Sequence, residues 1–266
     1  SFPTRRSSDL FVDVEALSDL IRPDTTLVSV MAVNNEIGSI QPIQAISELL
    51  ADKPTISFHV DAVQALTKIP TEKYLTERVD FATFSSHKFH GVRGVGFVYI
   101  KSGKKITPLL TGGGQERDYR STTENVAGIA ATAKALRLSM EKLDIFTSKT
   151  GQMKAVIRQA LLDYPDISVF SDEEDFAPHI LTFGIKGVRG EVIVHAFEDY
   201  DIFISTTSAC SSKAGKPAGT LIAMGVDKDK AQSAVRLSLD LENDMSQVEQ
   251  FLTKLKLIYN QTRKVR

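Results

Sequence analysis

Several short apolar, β-branched runs, each closing on a polar or glycine-rich cluster, constrain this chain more than any other feature. TLVSVMAV (26–33) ends in NNEIG, TISFHV (55–60) ends at Asp61, and DFATFSS (80–86) runs into HKFHGVRG before GVGFVYI (94–100) resumes as a strand. Helical spacing lies between and before them. Val14, Leu17, Leu20 and Ile21 recur at helical intervals until Pro23, and Pro42 opens a second helix with Ile43, Ile46, Leu49 and Leu50 on one side. Strands alternating with crossover helices predict an α/β fold, and the continuous apolar run at 26–33 predicts a strand buried on both faces of a mainly parallel sheet. In such sheets ligands bind where the strands end, which is where the polar clusters fall.

Beyond Gly112–Gly114 the pattern predicts a long helical stretch from about Thr123 to Leu162, broken near Asp144. Shorter strands and helices follow: ISVF, HILTFGI, a helix from Arg189 to Tyr200, IFIS, AVRLSL, and a last amphipathic helix from about Ser246 to Arg263. The chain therefore divides into a partial large domain over 11–144 and a smaller α+β domain over 145–266, the latter holding a mobile loop at 205–219. Residues 1–10, SFPTRRSSDL, have no periodicity and adjoin a well-patterned segment without a linker; they read as a translated scar outside the native fold.

Composition removes several function classes. The 32 Lys and Arg balance 33 acids, giving a net charge of −1 with no basic stripe, so neither nucleic acid nor an anionic membrane is an expected partner. No apolar run approaches the roughly 20 residues of a membrane span. A single cysteine and five scattered histidines leave no metal site, and the lone thiol suits a reducing, cytoplasmic compartment.

The chemistry-bearing residues lie at strand ends. Lys88, in Ser85-Ser86-His87-Lys88, sits where a desolvated lysine can form a Schiff base. Ser85 and His87 can hydrogen-bond a phosphate, and Gly91, Gly94 and Gly96 let backbone approach closely. Asp61, about 27 residues earlier, is placed to partner a pyridinium nitrogen. Taken singly, these are equally a surface lysine and a helix-capping aspartate. Together they point to pyridoxal phosphate. Cys210 lies in STTSACSSKAGKPAG, a small, polar stretch that predicts an accessible thiol rather than a packed one. His59 and His90 read as structural.

VNNEIG (33–38), HVDAVQ (59–64), FSSHKFHGVRGVGFVYI (84–100), GGGQERDYRSTTEN (112–125), TSACSS (207–212) and VRLSL (235–239) resemble, in order, motifs of the cysteine desulfurases. These form part of the class V aminotransferase branch of the fold-type I pyridoxal-phosphate enzymes. The resemblance spans essentially residues 11–262. It implies that Lys88 is the Schiff-base lysine, that Asp61 partners the pyridinium, and that Gln64 bonds the phenolic oxygen, with Asn34 near that oxygen and the substrate carboxylate. By the same resemblance Ser85 and His87 bind the phosphate, and Thr123 reaches the phosphate of a neighbouring subunit, which implies a homodimer. The resemblance also implies that Arg236 clamps the substrate carboxylate.

The resemblance further implies that Cys210 receives sulfur as a persulfide while L-cysteine becomes L-alanine. By the same resemblance the sulfur is then expected to pass to an acceptor protein serving iron–sulfur cluster assembly or tRNA thiolation. Alternatives are a selenocysteine lyase or another class V aminotransferase, although a transaminase has no use for the loop cysteine, and a non-catalytic chain that only docks acceptors. The resemblance departs at Leu239-Asp240-Leu241, which replaces a small-residue turn, and at His90, which replaces an aromatic. The family's N-terminal third has no counterpart here, so the chain alone is expected to be N-terminally truncated, poorly stable and inactive.

Overall fold

The computed structural model describes residues 10–171, 174–207 and 219–264. Each apolar run becomes a strand, shortened to the residues that find a partner. In chain order, α1 (Val14–Leu20) precedes β1 (Leu27–Met31), α2 (Ile43–Leu49), β2 (Ser57–Asp61), β3 (Phe81–Ser85) and β4 (Gly96–Ile100). The long helical stretch is two helices, α3 (Val126–Met140) and α4 (Leu143–Leu162). Then come β5 (Ile167–Val169), β6 (Ile180–Ile185), α5 (Gly190–Glu198), β7 (Ser205–Thr206), α6 (Gly219–Ala223), α7 (Lys228–Gln232), β8 (Ala234–Ser238) and α8 (Met245–Lys264). Side-chain caps start two of the long helices: Asn125 accepts from the Gly128 N–H, and Asp244 accepts from the Gln247 N–H.

The chain forms two compact units. The first, here the lysine unit, comprises Ile21–Ala32 and Ile43–Leu143. The second, the arginine unit, holds the described residues up to Leu20, Val33–Pro42 and those from Asp144 onward. The sequence reading of an unbroken first domain over 11–144 therefore differs from the structure at two places: α1 and the 33–42 segment both cluster with the C-terminal elements. Leu10, set aside with the first nine residues on sequence grounds, belongs to the arginine unit. It packs beside Ile37 and Phe176, and its carbonyl accepts from Gln41 Nε2 at 2.9 Å.

The lysine unit is built on one sheet in the order β1-β2-β3-β4. β1, β2 and β3 run parallel, and β4 is antiparallel to β3. Only ten residues join β3 to β4, too few for the crossover that a parallel neighbour needs. Val28, Val30, Phe58, Val60 and Ala82 fill one face of this sheet, while α2 contributes Ile43 and Ile46 to the core. β1 alternates rather than being buried on both sides, with Leu27 55% and Met31 41% exposed. An apolar run alone does not distinguish these cases.

At the N-terminal ends of β2 and β3 a charged cluster ties the sheet. Asp80 Oδ2 accepts from the Phe58 N–H at 2.9 Å and pairs with Arg78 at 2.7 Å and Lys104 at 3.2 Å. Arg78 also donates to the carbonyls of Leu50, Lys53 and Ile56.

The arginine unit holds an antiparallel sheet in the order β5-β6-β8-β7. Every residue of β6 is buried, and Leu181 and Phe183 pack with Ile193 and Phe197 of α5 and Phe251 and Leu255 of α8. Phe197 and Phe251 stack with ring centroids 5.0 Å apart. Of the IFIS segment only Ser205 is strand, continuing into Thr206, both paired to β8, while Phe203 is 78% exposed. Ser205 and Thr206, expected within a mobile loop, are thus part of the sheet, and Gly219 begins α6. No described helix is long and apolar enough to cross a membrane.

Candidate active site

Strand periodicity decides which side chains reach the rim of the lysine unit. Phe58, Val60, Ala82 and Phe84 turn to the buried face, so Asp61 and Ser85, the last residues of β2 and β3, share the other face. Register places Asp61 opposite Thr83, which brings the two strand ends side by side. Asp61 Oδ1 accepts from the Val63 N–H at 3.0 Å. Gln64 follows in the same turn, half-buried.

Past Ser85 the chain makes a 3-10 turn, Ser86–Phe89, closed by His90 in the left-handed region (φ 64°) and by a bond from the Gly91 N–H to the Ser86 carbonyl at 3.0 Å. The first and last residues pin this turn to α3. Ser86 is fully buried, with its Oγ 2.9 Å from Thr132 Oγ1, and Thr132 donates to the Gly128 carbonyl at 2.8 Å. Phe89 is buried, and its carbonyl accepts from Ser139 Oγ at 3.3 Å. With Ser86 and Phe89 held inward, Lys88 is left half-buried and His87 exposed. The glycines are needed where backbone crowds: a Cβ on Gly91 would meet Ser86 Oγ at 1.8 Å, and one on Gly96 would meet the Phe84 carbonyl oxygen at 2.5 Å. Thr123 is exposed in the same unit, downstream of a left-handed turn at Glu116, Arg117 and Asp118 (φ 51°, 57° and 66°).

In the arginine unit, Arg236 occupies the middle of β8, opposite Thr182 of β6 and Ser205 of β7. Its Nη1 donates to the Asn35 carbonyl at 2.8 Å. Thr182 Oγ1 donates to the Glu36 carbonyl and Ser171 Oγ to the Ile37 carbonyl, each at 2.6 Å. Three consecutive carbonyls of the 33–38 loop are therefore each held by a different side chain of this unit. Asn34 shapes the loop from within: its Oδ1 accepts from the N–H groups of Glu36 (2.8 Å) and Ile37 (3.0 Å), and Gly38 completes the turn at φ 86°.

Burial pushes the Glu36 carboxyl above its ordinary value, outweighing hydrogen bonds from the Thr220 hydroxyl and N–H and the charge of Arg236. Glu36 was not singled out from the sequence. VNNEIG marks it as loop, and nothing local in the sequence marks it as shielded. Also missed were the Ser86–Thr132 pair behind Lys88 and a polar row formed by Ser29, His59 and Thr83 across the sheet. Period-two patterning would have put these last three on one face once the strand register was known.

The structure thus gathers Asp61, Gln64, Ser85, His87 and Lys88 at adjacent strand ends of one unit, and Asn34 beside the Arg236 anchor in the other. Cys210 lies outside the described residues. Among the described residues, no group of three His, Cys, Asp or Glu side chains is placed to hold a metal. A half-buried lysine on a rigid turn, a carboxylate at a strand end, and hydroxyl and imidazole groups nearby fit an aromatic aldehyde that carries a phosphate and a protonated ring nitrogen.

The fold is that of the fold-type I pyridoxal-phosphate enzymes, a mixed α/β structure around a parallel-sheet core. One solved structure, titled a NifS-like protein, superposes with a TM-score of 0.85 at 35% identity, covering 97% of this chain and 67% of that one. The Aminotransferase class-V family model matches residues 5–251, and the chain belongs to that family, whose members are pyridoxal-phosphate dependent. Within it, a NifS/IcsS protein homolog of Lactobacillus delbrueckii subsp. bulgaricus is 50% identical over 255 residues, 96% of this chain and 66% of the relative. Cysteine desulfurase IscS of Clostridium botulinum is 38% identical over 258 residues, 96% of this chain and 64% of the relative. The chain spans about two thirds of the length of these curated relatives.

Proposed function

We propose that this chain carries the cofactor and substrate residues of a pyridoxal-phosphate-dependent cysteine desulfurase, which converts L-cysteine to L-alanine and leaves the sulfur on Cys210 as a persulfide. The observation that carries the reading is the juxtaposition of Asp61 and the Ser85–Lys88 turn at neighbouring strand ends. When bound, pyridoxal phosphate supplies an electron sink conjugated to the substrate amino group.

The protein's residues do the rest. Lys88, on a turn locked by Ser86 and Thr132, holds the aldehyde carbon. Asp61 would keep the ring nitrogen protonated, Gln64 would bond the phenolic oxygen, and Asn34 would serve that oxygen and the substrate carboxylate. Ser85 and His87 take the phosphate, and Thr123 serves the phosphate of a second copy, so the active form is a homodimer. Arg236 orients the substrate carboxylate with its planar fork. The Cys210 thiolate attacks the substrate sulfur: the S–S bond forms, the C–S bond breaks, and the substrate β-carbon takes a proton to become the methyl group of alanine. The persulfide then passes to an acceptor protein for iron–sulfur assembly or tRNA thiolation in the cytoplasm.

The test is covalent trapping. The purified protein is incubated with pyridoxal phosphate, reduced with borohydride and mapped by peptide mass spectrometry. Labelling of Lys88 that is lost in Lys88→Ala supports the reading; scattered labelling or none overturns it.

A further inference from the structure

The polar row beneath the candidate cofactor carboxylate has a geometry that the desulfurase reading leaves unused. Ser29 of β1, His59 of β2 and Thr83 of β3 lie on the face that also carries Asp61 and Ser85. Ser29 Oγ is 2.7 Å from His59 Nδ1, and Thr83 Oγ1 is 3.2 Å from His59 Nε2. Both ring nitrogens are therefore held, and the imidazole cannot turn without losing a bond. A hydroxyl can donate or accept, so the row is satisfied with His59 neutral or protonated. Thr83, which holds Nε2, is also the register partner of Asp61.

Asp61 follows His59 by two residues on one face, about 7 Å along a strand. The other residues that β1 and β3 present to this face, Leu27 and Met31 beside Ser29 and Phe81 and Ser85 beside Thr83, carry no charge. His87 and Lys88 come only on the turn beyond Ser85. Among the described strand residues of this face, Asp61 is the charged group that His59 faces.

We propose that His59 is a positioning residue for Asp61, and that a proton on its imidazole competes with the cofactor's ring-nitrogen cation for the one carboxylate. The inference rests on the pyridoxal-phosphate reading above. Two cations near a single carboxylate weaken one another, so neutral His59 leaves the whole Asp61 charge to the cofactor, while protonated His59 loosens it. Burial lowers the affinity of His59 for its proton and outweighs the Asp61 charge, which favours the protonated ring. The linkage is reciprocal: cofactor binding must lower His59's proton affinity by the same factor that the proton lowers cofactor affinity.

The experiment measures pyridoxal-phosphate dissociation constants by the absorbance of the bound cofactor from pH 5.5 to 8, in the wild-type protein and in His59→Gln. The Gln amide can still bond both hydroxyls but does not titrate. Acidification weakens binding for other reasons in both proteins, among them protonation of the phosphate. The extra loss in the wild type is expected to be about fivefold, the scale of a partly screened charge pair at such a separation. NMR titration of His59 in the wild type needs no substitution, and its pKa should fall when the cofactor binds. Parallel pH profiles for the two proteins, or a His59 titration that cofactor leaves unmoved, overturn the inference while Lys88 labelling still stands. Failure of the wild type to bind the cofactor at any pH overturns the cofactor reading and this inference with it.

Discussion

Substituting Gly91 by alanine tests whether the turn that carries Lys88 is held by the packing described. The new Cβ would lie 1.8 Å from Ser86 Oγ, 2.9 Å from the Ser86 carbonyl oxygen and 3.1 Å from Ser86 Cβ. Ser86 has no room to yield freely, because it is fully buried and bonded to Thr132. Rotating its hydroxyl away breaks that bond, worth roughly 1 kcal/mol net. Thr132 keeps its bond to the Gly128 carbonyl, so the loss is confined to one partner. The remaining contacts overpack a tight site, which costs about 1–3 kcal/mol more. The expected destabilisation is roughly 2–4 kcal/mol, read as a shift in urea midpoint with unchanged slope.

Lys88 labelling by cofactor and borohydride should fall with it, since the turn must tilt. The double variant Ser86→Ala/Gly91→Ala removes the worst clash and should recover about 1–2 kcal/mol relative to Gly91→Ala alone, a coupling expected of touching residues. A Gly91→Ala cost below about 0.5 kcal/mol, or a double variant no better than the single, would refute the reasoning.

Two further substitutions probe charge. Burial pushes the Asp80 carboxyl up, but the Phe58 N–H, Arg78 and Lys104 together hold it below its ordinary value of 3.8. A lowered folded value contributes stability above 3.8 that is lost as pH falls through the folded value, so Asp80→Asn should cost roughly 2–4 kcal/mol at pH 7, with the gap to wild type narrowing as the pH is taken below 3.8 in urea titrations. Glu36 runs the other way. Its raised value means that the folded state holds the proton more tightly, so its contribution is present at low pH and lost as pH rises through the folded value. Glu36→Gln should therefore melt higher than wild type at pH 8 and alike at pH 4.

Local patterning made the strands and long helices legible. Pro23 and Pro42 punctuate elements within a few residues of where the sequence put them, and the apolar stripe of α8 predicted its span almost to the residue. Partnership was not legible. The 33–38 loop reads as a polar turn, but the side chains that hold its carbonyls lie 134, 146 and 201 residues further along. Nor does an apolar run record whether both of its faces find cover, which is why Leu27 and Met31 were expected inside. At the site, Asp61 and Lys88 stood out because strand ends and residue chemistry coincide. His59 did not, because its significance depends on Ser29 and Thr83, and only register brings those hydroxyls to it.

The allocation of residues between the two units also bears on how such a protein can be recombined. The chain passes from one unit to the other four times, after Leu20, Ala32, Pro42 and Leu143. A gene block beginning at codon 144 looks like a complete module in the linear sequence, yet it leaves behind the short segment that carries Asn35, Glu36 and Ile37. Grafted onto a foreign scaffold, such a block would leave Arg236, Thr182 and Ser171 without the carbonyls they bond here. Crossover points that preserve the arginine unit must carry residues 33–42 with it, so ten residues in the first fifth of the chain are inherited, in structural terms, with its second half.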